Sequence, residues 1–195
     1  METFGFGLER DRWEQAAKVE RVDELPPRIF TDALSRLIDV DVVEALAVIN
    51  RDVVWESVIP AGNVVGTAEE TSRFFQMLLD GGVWGDRRVL SEEQVTRATG
   101  EQIMTRTDWT LFLTPQRYSL GFMLGRKRTP FNIFGRNSEQ TFGHIGFSRE
   151  FGWADPLREM SVGFLTSGVP IRPGAEVLIL RRFQNALKDA YENTQ

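Results

Sequence analysis

The spacing of apolar residues changes twice along this 195-residue chain, and those changes limit the folds open to it. From Phe30 to Leu79 apolar side chains recur at intervals of three and four, the period of a helix. Between 118 and 166 they alternate with small or polar residues, the period of a strand. After Pro173 the helical interval returns through Val177, Leu180, Phe183, Leu187 and Tyr191. Helices, then antiparallel strands, then a closing helix predict an α+β architecture, an antiparallel sheet flanked by helices.

Local signals mark the boundaries. Pro26-Pro27 reads as a joint, because neither residue continues a helix. Phe30, Leu34, Leu37 and Ile38 fall on one helical face, and Asp41 with Glu44 starts a second short helix, so 21–59 reads as a helical segment. Pro60-Ala61-Gly62-Asn63 is a loop. Thr67 and Glu70 form a capping box ahead of Thr71, Phe74, Phe75, Leu78 and Leu79, and Gly81-Gly82 ends that helix. Gly85-Asp86-Arg87 is a turn, and Ser91 with Gln94 opens another helix that stops at Gly100. The acidic pairs Glu69-Glu70 and Glu92-Glu93 complement the dipoles of these helices, which is their ordinary use. Further on, 118–124, 141–148, 151–154 and 160–166 read as strands, with Asp155-Pro156 turning the last two into a hairpin. Arg181, Arg182 and Lys188 lie in the later half of the closing helix, where cations suit the dipole.

Composition removes several kinds of chemistry. There is no cysteine and a single histidine, His144, so disulfides, thiolate metal sites and multi-histidine metal sites are excluded. Twenty-three basic against 28 acidic residues give a net charge of −5, without the basic footprint that nucleic acid demands. The basic stretch Gly125-Arg126-Lys127-Arg128 reads as a solvated turn. No stretch approaches the ~18–20 apolar residues of a membrane helix, and the first residues lack the pattern of a secretory signal, so the chain as written is expected to be cytoplasmic, with the compartment open if an exported half lies upstream. Gly5-Phe6-Gly7 is no dinucleotide loop, because Arg10 stands where a third glycine is needed. No metal and no organic cofactor is expected.

Nucleophiles are equally scarce. None of the nine serines is followed three residues later by lysine, and only Lys18, Lys127 and Lys188 are lysines. The nearest approach to a nucleophile elbow, Gly146-Phe147-Ser148-Arg149-Glu150, lacks the second glycine.

One constellation remains. Gly143-His144-Ile145-Gly146-Phe147 is followed by Phe151-Gly152-Trp153-Ala154-Asp155-Pro156 and by the apolar strand Ser161-Val162-Gly163-Phe164-Leu165-Thr166. This resembles the third conserved box of the β-lactamase-related serine hydrolases, the superfamily of class C β-lactamases, family VIII esterases and penicillin-binding-protein relatives. Pro60-Ala61-Gly62, the helix to Gly81-Gly82, Val89-Leu90-Ser91 and Tyr118-Ser119-Leu120-Gly121-Phe122 resemble further family elements in the same order, so the likeness covers about 60–191. Met1 to Gly7 is similar to an element inside the family domain.

The resemblance implies a partial β-lactamase/transpeptidase-like fold, with 1–195 a single partial domain and 21–59 its helical variable cap. It implies an acyl-serine mechanism on ester or amide bonds, with Phe147 supplying an oxyanion N–H, His144 and Gly146 binding substrate, and Arg149 standing where the family has glycine. At such a position arginine is strained, and its side chain is expected near the cleft. The family's Ser-x-x-Lys helix and Tyr-x-Asn motif are expected to lie ahead of Met1, and its catalytic tyrosine is carried onto neither Tyr118 nor Tyr191. The chain is then expected to be inactive alone, and to act on a small ester or amide substrate only when completed by its missing half. The rival reading is a non-catalytic pseudoenzyme or partner-binding fragment, with self-association through exposed sheet surface.

Overall fold

The computed structural model describes residues 3–24, 27–39, 41–60, 62–101, 103–108, 114–127, 132–146, 149–170 and 176–193. The chain begins with β1 (Gly5–Phe6), a 3-10 turn (Arg10–Gln15) and β2 (Glu20–Arg21). Three helices follow, α1 (Arg28–Ile38), α2 (Val42–Val48) and α3 (Asp52–Glu56). Next come β3 (Val64–Val65), α4 (Ala68–Leu79), β4 (Val83–Trp84), β5 (Arg87–Arg88) and α5 (Glu92–Thr99). The strands β6 (Ile103–Asp108), β7 (Thr114–Tyr118), β8 (Met123–Leu124), β9 (Phe142–Ile145), β10 (Phe151–Asp155) and β11 (Met160–Phe164) then form one sheet. A short β12 (Gly168–Val169) precedes the closing helix α6 (Glu176–Glu192). The chain divides into two compact units. One holds Met1–Ser72, Ile145–Phe151 and Gly163–Arg172, and the other Arg73–His144, Gly152–Val162 and Pro173–Gln195.

In the first unit the caps named by the sequence are in place. The Asp41 carboxylate accepts from the amides of Val43 and Glu44, both at 2.9 Å, and opens α2. Thr67 and Glu70 cap reciprocally: the Glu70 amide donates to Thr67 Oγ1 and the Thr67 amide to Glu70 Oε2, each at 3.1 Å. Glu70 also accepts from the Thr3 amide at 2.9 Å, which ties the N-terminal segment to α4. That segment contributes β1, antiparallel to β3 with Gly5 opposite Val65, while β12 runs parallel to β2. Neither pairing is visible in the apolar spacing, because each involves two residues per strand. The side chains of Phe30, Leu34, Leu37 and Ile38 lie outside the described residues.

The second unit holds the main core, in which Phe75, Met77 and Leu78 of α4 and Val95 of α5 pack with Leu124, Phe142 and Ala154 from the sheet. Phe75, Phe122 and Phe142 meet edge to face, with centroids 6.0 and 5.6 Å apart. Burying each large side chain contributes about 1.5–3 kcal/mol, so this cluster is the main support of the sheet. The sheet order is β11-β10-β9-β8-β7-β6, a meander in which chain neighbours are sheet neighbours throughout. The antiparallel register sets Met123 opposite both Tyr118 and Gly143.

Three expectations need correction. The segment 118–124 is not one strand: β7 ends at Tyr118 and β8 begins at Met123. The turn between them carries Gly121 at φ 108, with the Ser119 amide donating to the Phe122 carbonyl at 2.9 Å. Glycine adopts that backbone at little cost, so the alternation continues across a hairpin. The strand expected over 141–148 ends at Ile145, where a turn begins. The inward face of α6 is also not purely apolar: Gln184 and Lys188 are sealed from solvent, Leu180, Leu187 and Tyr191 are half-buried, and Phe183 is 40% exposed. The partners of those polar side chains explain the exchange.

Candidate active site

The strand β9 leaves the core at Phe142 and reaches solvent at His144, with Gly143 buried between them. Gly143 is required by close approach: a Cβ there would meet the Trp153 side chain and the Gly152 carbonyl, both in β10. Beyond Ile145 the chain turns back on itself. The Gly146 amide donates to the Glu150 carbonyl at 2.8 Å, and the Arg149 amide donates to the Gly146 carbonyl at 3.2 Å. Arg149, just ahead of Glu150 in this turn, has φ 71, in the left-handed region that favours glycine. The position expected to favour glycine therefore keeps a glycine-like backbone while carrying arginine, at a cost of about 1–2 kcal/mol.

Two side chains at this hairpin carry unmet polar atoms. A Cβ at residue 146 would run into the carboxylate of Glu150, so that carboxylate occupies the space beside Gly146 that a side chain would fill. Among the described residues, Glu150 Oε2 and Arg149 Nε are buried with no hydrogen-bond partner. Glu150 is not among the site residues expected from the sequence; its one legible signal is a charge where an apolar strand begins.

The residues named from the sequence are placed as follows. His144 is exposed at the end of β9 and belongs to the second unit; Gly146 and Arg149 are half-buried in the first. Phe147, the expected oxyanion donor, lies outside the described residues. Tyr118 ends β7, and Tyr191 is in the last turn of α6. Tyr191-Glu192-Asn193 does spell Tyr-x-Asn, so those letters are not confined to sequence ahead of Met1. Here they close a helix: the Asn193 amide donates to the Asp189 carbonyl at 3.1 Å, and Glu192 is held by Arg158. A concavity of about 550 Å³ in the first unit is lined by Thr3–Arg12 residues and Glu56, and by none of the candidate site residues.

Behind β9, the next strand carries a buried polar array. Trp153 and Asp155 of β10 are both 0% exposed. The Trp153 indole donates to Gln184 Oε1 at 2.9 Å. Asp155 Oδ2 receives Arg158 Nη1 at 2.8 Å and Lys188 Nζ at 3.0 Å, and its Oδ1 accepts from the Leu157 amide at 3.1 Å. Burial lowers the Lys188 ammonium below the ordinary lysine value, against the pull of Asp155. Burial also lowers Arg158, but its bonds to Glu192 and Asp155 outweigh this and raise it overall. The Asp155-Pro156 turn expected from sequence is thus an anchor for α6.

With this geometry in view, comparison with known proteins decides the family. The family model described as Beta-lactamase matches residues 1–186. The chain belongs to the Beta-lactamase family. This Beta-lactamase-family chain is 36% identical over 106 residues to an esterase/beta-lactamase named LipL from Mycobacterium tuberculosis, a match covering 54% of this chain and 22% of that protein. Its fold is similar to that of a penicillin-binding-protein homolog from Caulobacter crescentus, with a TM-score of 0.67, 20% identity, and coverage of 91% of this chain and 46% of the other. A family VIII carboxylesterase gives the same TM-score at 20% identity, with 93% and 47% covered. The Beta-lactamase-family chain thus spans about a fifth of the curated relative and just under half of the two solved chains. Its fold class is the expected one: an antiparallel sheet flanked by helices, as the apolar spacing predicts, within the β-lactamase/transpeptidase-like fold that the resemblance implies.

Proposed function

We propose that this chain furnishes the oxyanion side of an acyl-transfer serine hydrolase acting on ester or amide bonds, and that its nucleophile and base lie outside the sequence described. The carrying observation is that Gly143-His144-Ile145 forms β9 and runs directly into the Gly146–Glu150 hairpin. In this reading substrate lies along the strand edge past Gly146 and the Glu150 carboxylate beside it, His144 contacts it from the exposed strand end, and the Phe147 amide stabilises the oxyanion of the tetrahedral intermediate. Arg149 would border the same groove.

A preorganised donor stabilises charge only after an attack has occurred, so a chain without the attacking group accumulates no acyl-enzyme. The test is mass spectrometry of the purified chain after exposure to a fluorophosphonate probe and to benzylpenicillin. Unchanged mass is expected; an adduct on any serine overturns the reading of inactivity. Adding a second polypeptide that bears a Ser-x-x-Lys helix and a Tyr-x-Asn motif should then restore labelling.

The rival reading, a partner-binding fragment, is supported by exposed apolar side chains such as Ile29, Val53, Val58 and Val64. Size-exclusion chromatography with light scattering separates the two: concentration-dependent self-association favours the rival, and a monomer disfavours it.

A further inference from the structure

We propose that Glu150 determines substrate specificity in this hairpin, selecting molecules that carry a cationic or N–H donor group beside the scissile carbonyl and turning away those with a carboxylate there. The inference rests on the reading of Gly146 as a wall of the substrate groove and deepens it. Gly146 has no side chain, yet the space beside it is not open: the Glu150 carboxylate stands in it, with Oε1 toward Gly146 and Oε2 on the far side of the same group. One carboxylate oxygen, Oε2, is out of contact with water and, among the described residues, receives no hydrogen bond.

Leaving a buried acceptor unmet costs free energy that a side chain with a purely structural role avoids by finding a donor. The neighbouring Arg149 Nε is buried without an acceptor as well, so Nε does not supply the donor that Glu150 Oε2 lacks. A ligand donor at Glu150 Oε2 removes the deficit. A ligand carboxylate at the same place adds a second negative charge to a partly desolvated one, which is repulsive. The hairpin holds the Glu150 backbone beside Gly146, because the Glu150 carbonyl accepts from the Gly146 amide at 2.8 Å.

The test uses the whole chain labelled with 15N and follows the Gly146 amide during titration with two probes. These are N-(2-aminoethyl)acetamide, a cationic amide, and benzylpenicillin, an anionic one. In the natural chain the cationic probe should shift the Gly146 resonance and benzylpenicillin should not. In Glu150→Gln the affinity for the cationic probe should fall about tenfold, as expected for losing a hydrogen bond to a charged group, and benzylpenicillin should begin to bind. Glu150→Asp, which keeps the charge but retracts it, should lie between them. If Glu150→Gln does not fold, the cationic probe must still bind the natural chain more weakly in 0.5 M salt. Equal affinities in the natural chain and Glu150→Gln would overturn the role of Glu150 while leaving Gly146 a substrate wall. Failure of both probes to move the Gly146 amide in any variant would sink the groove reading and this proposal together.

Discussion

Lys188 Nζ lies 3.0 Å from Asp155 Oδ2, and both side chains are sealed from solvent. Lysine is almost never fully buried unless paired, so this contact ties α6 to β10 by requirement rather than by accident of packing. Replacing Lys188 by methionine keeps most of the volume but leaves Asp155 with Arg158 alone. Breaking a buried pair from one side costs about 3–5 kcal/mol, and the remaining arginine should bring the loss to the lower end. Urea unfolding should show a lower midpoint for Lys188→Met, and an unchanged midpoint would show that the pair is not a net support.

The same lysine gives stability a pH dependence. Its folded pKa is lowered, mainly by burial, with Asp155 and Glu139 opposing that shift and Arg158 adding to it. Between the lowered value and the ordinary 10.5, the unfolded chain binds more protons at this site than the folded chain. The contribution of Lys188 to stability therefore rises with pH through that window, is complete above 10.5, and is lost as pH falls through the folded pKa. Unfolding free energies at several alkaline pH values should show this rise in the natural chain and not in Lys188→Met. A parallel dependence in the two proteins would contradict it.

Gln184 meets the indole of Trp153 at 2.9 Å inside the same array. Gln184→Leu fills similar volume but leaves a buried N–H unmet, for a loss of about 1–3 kcal/mol. Thermal unfolding should register the loss, and tryptophan fluorescence should report the changed indole environment. A stability equal to that of the natural chain would indicate that water replaces the glutamine.

Arg149 holds a backbone conformation that favours glycine. Arg149→Gly should relieve strain and stabilise the chain by up to about 1 kcal/mol after the entropy gained by its unfolded state is subtracted. Differential scanning calorimetry checks the sign; a lower midpoint would show that the arginine side chain contributes more than its backbone costs.

Gly143 has no room for a methyl group against Trp153 and Gly152. Gly143→Ala should cost 1–3 kcal/mol or roughly that range by overpacking, and it should accelerate amide exchange in β9 specifically. Exchange unchanged at Ile145 and Gly146 would show that β10 yields instead.

The sheet's later strands were legible because Phe142, Phe151, Trp153 and Ala154 concentrate apolar surface in short runs, and all four enter buried positions. Its first two strands were not. Thr105, Arg106, Thr107, Asp108, Thr114, Pro115 and Gln116 offer little apolar alternation, and their pairing is made by backbone atoms that any sequence possesses. The reading of α6 found the helix but missed its two most buried residues, for a related reason. Periodicity identifies apolar faces, but Gln184 and Lys188 are buried because Trp153 and Asp155, some thirty residues away in sequence, present polar atoms that need partners.

At the candidate site, the sequence by itself determined which residues stand in order, His144 in the strand, Gly146 after it and an arginine at 149 where glycine is expected, because each rests on local residue identity. Only the tertiary structure decided that Glu150 stands against Gly146 with an unmet oxygen, and that the Asp155 turn anchors the closing helix. Local sequence governs backbone preference over a few residues. Where a charge finds its partner, or fails to find one, depends on which distant segments packing brings beside it.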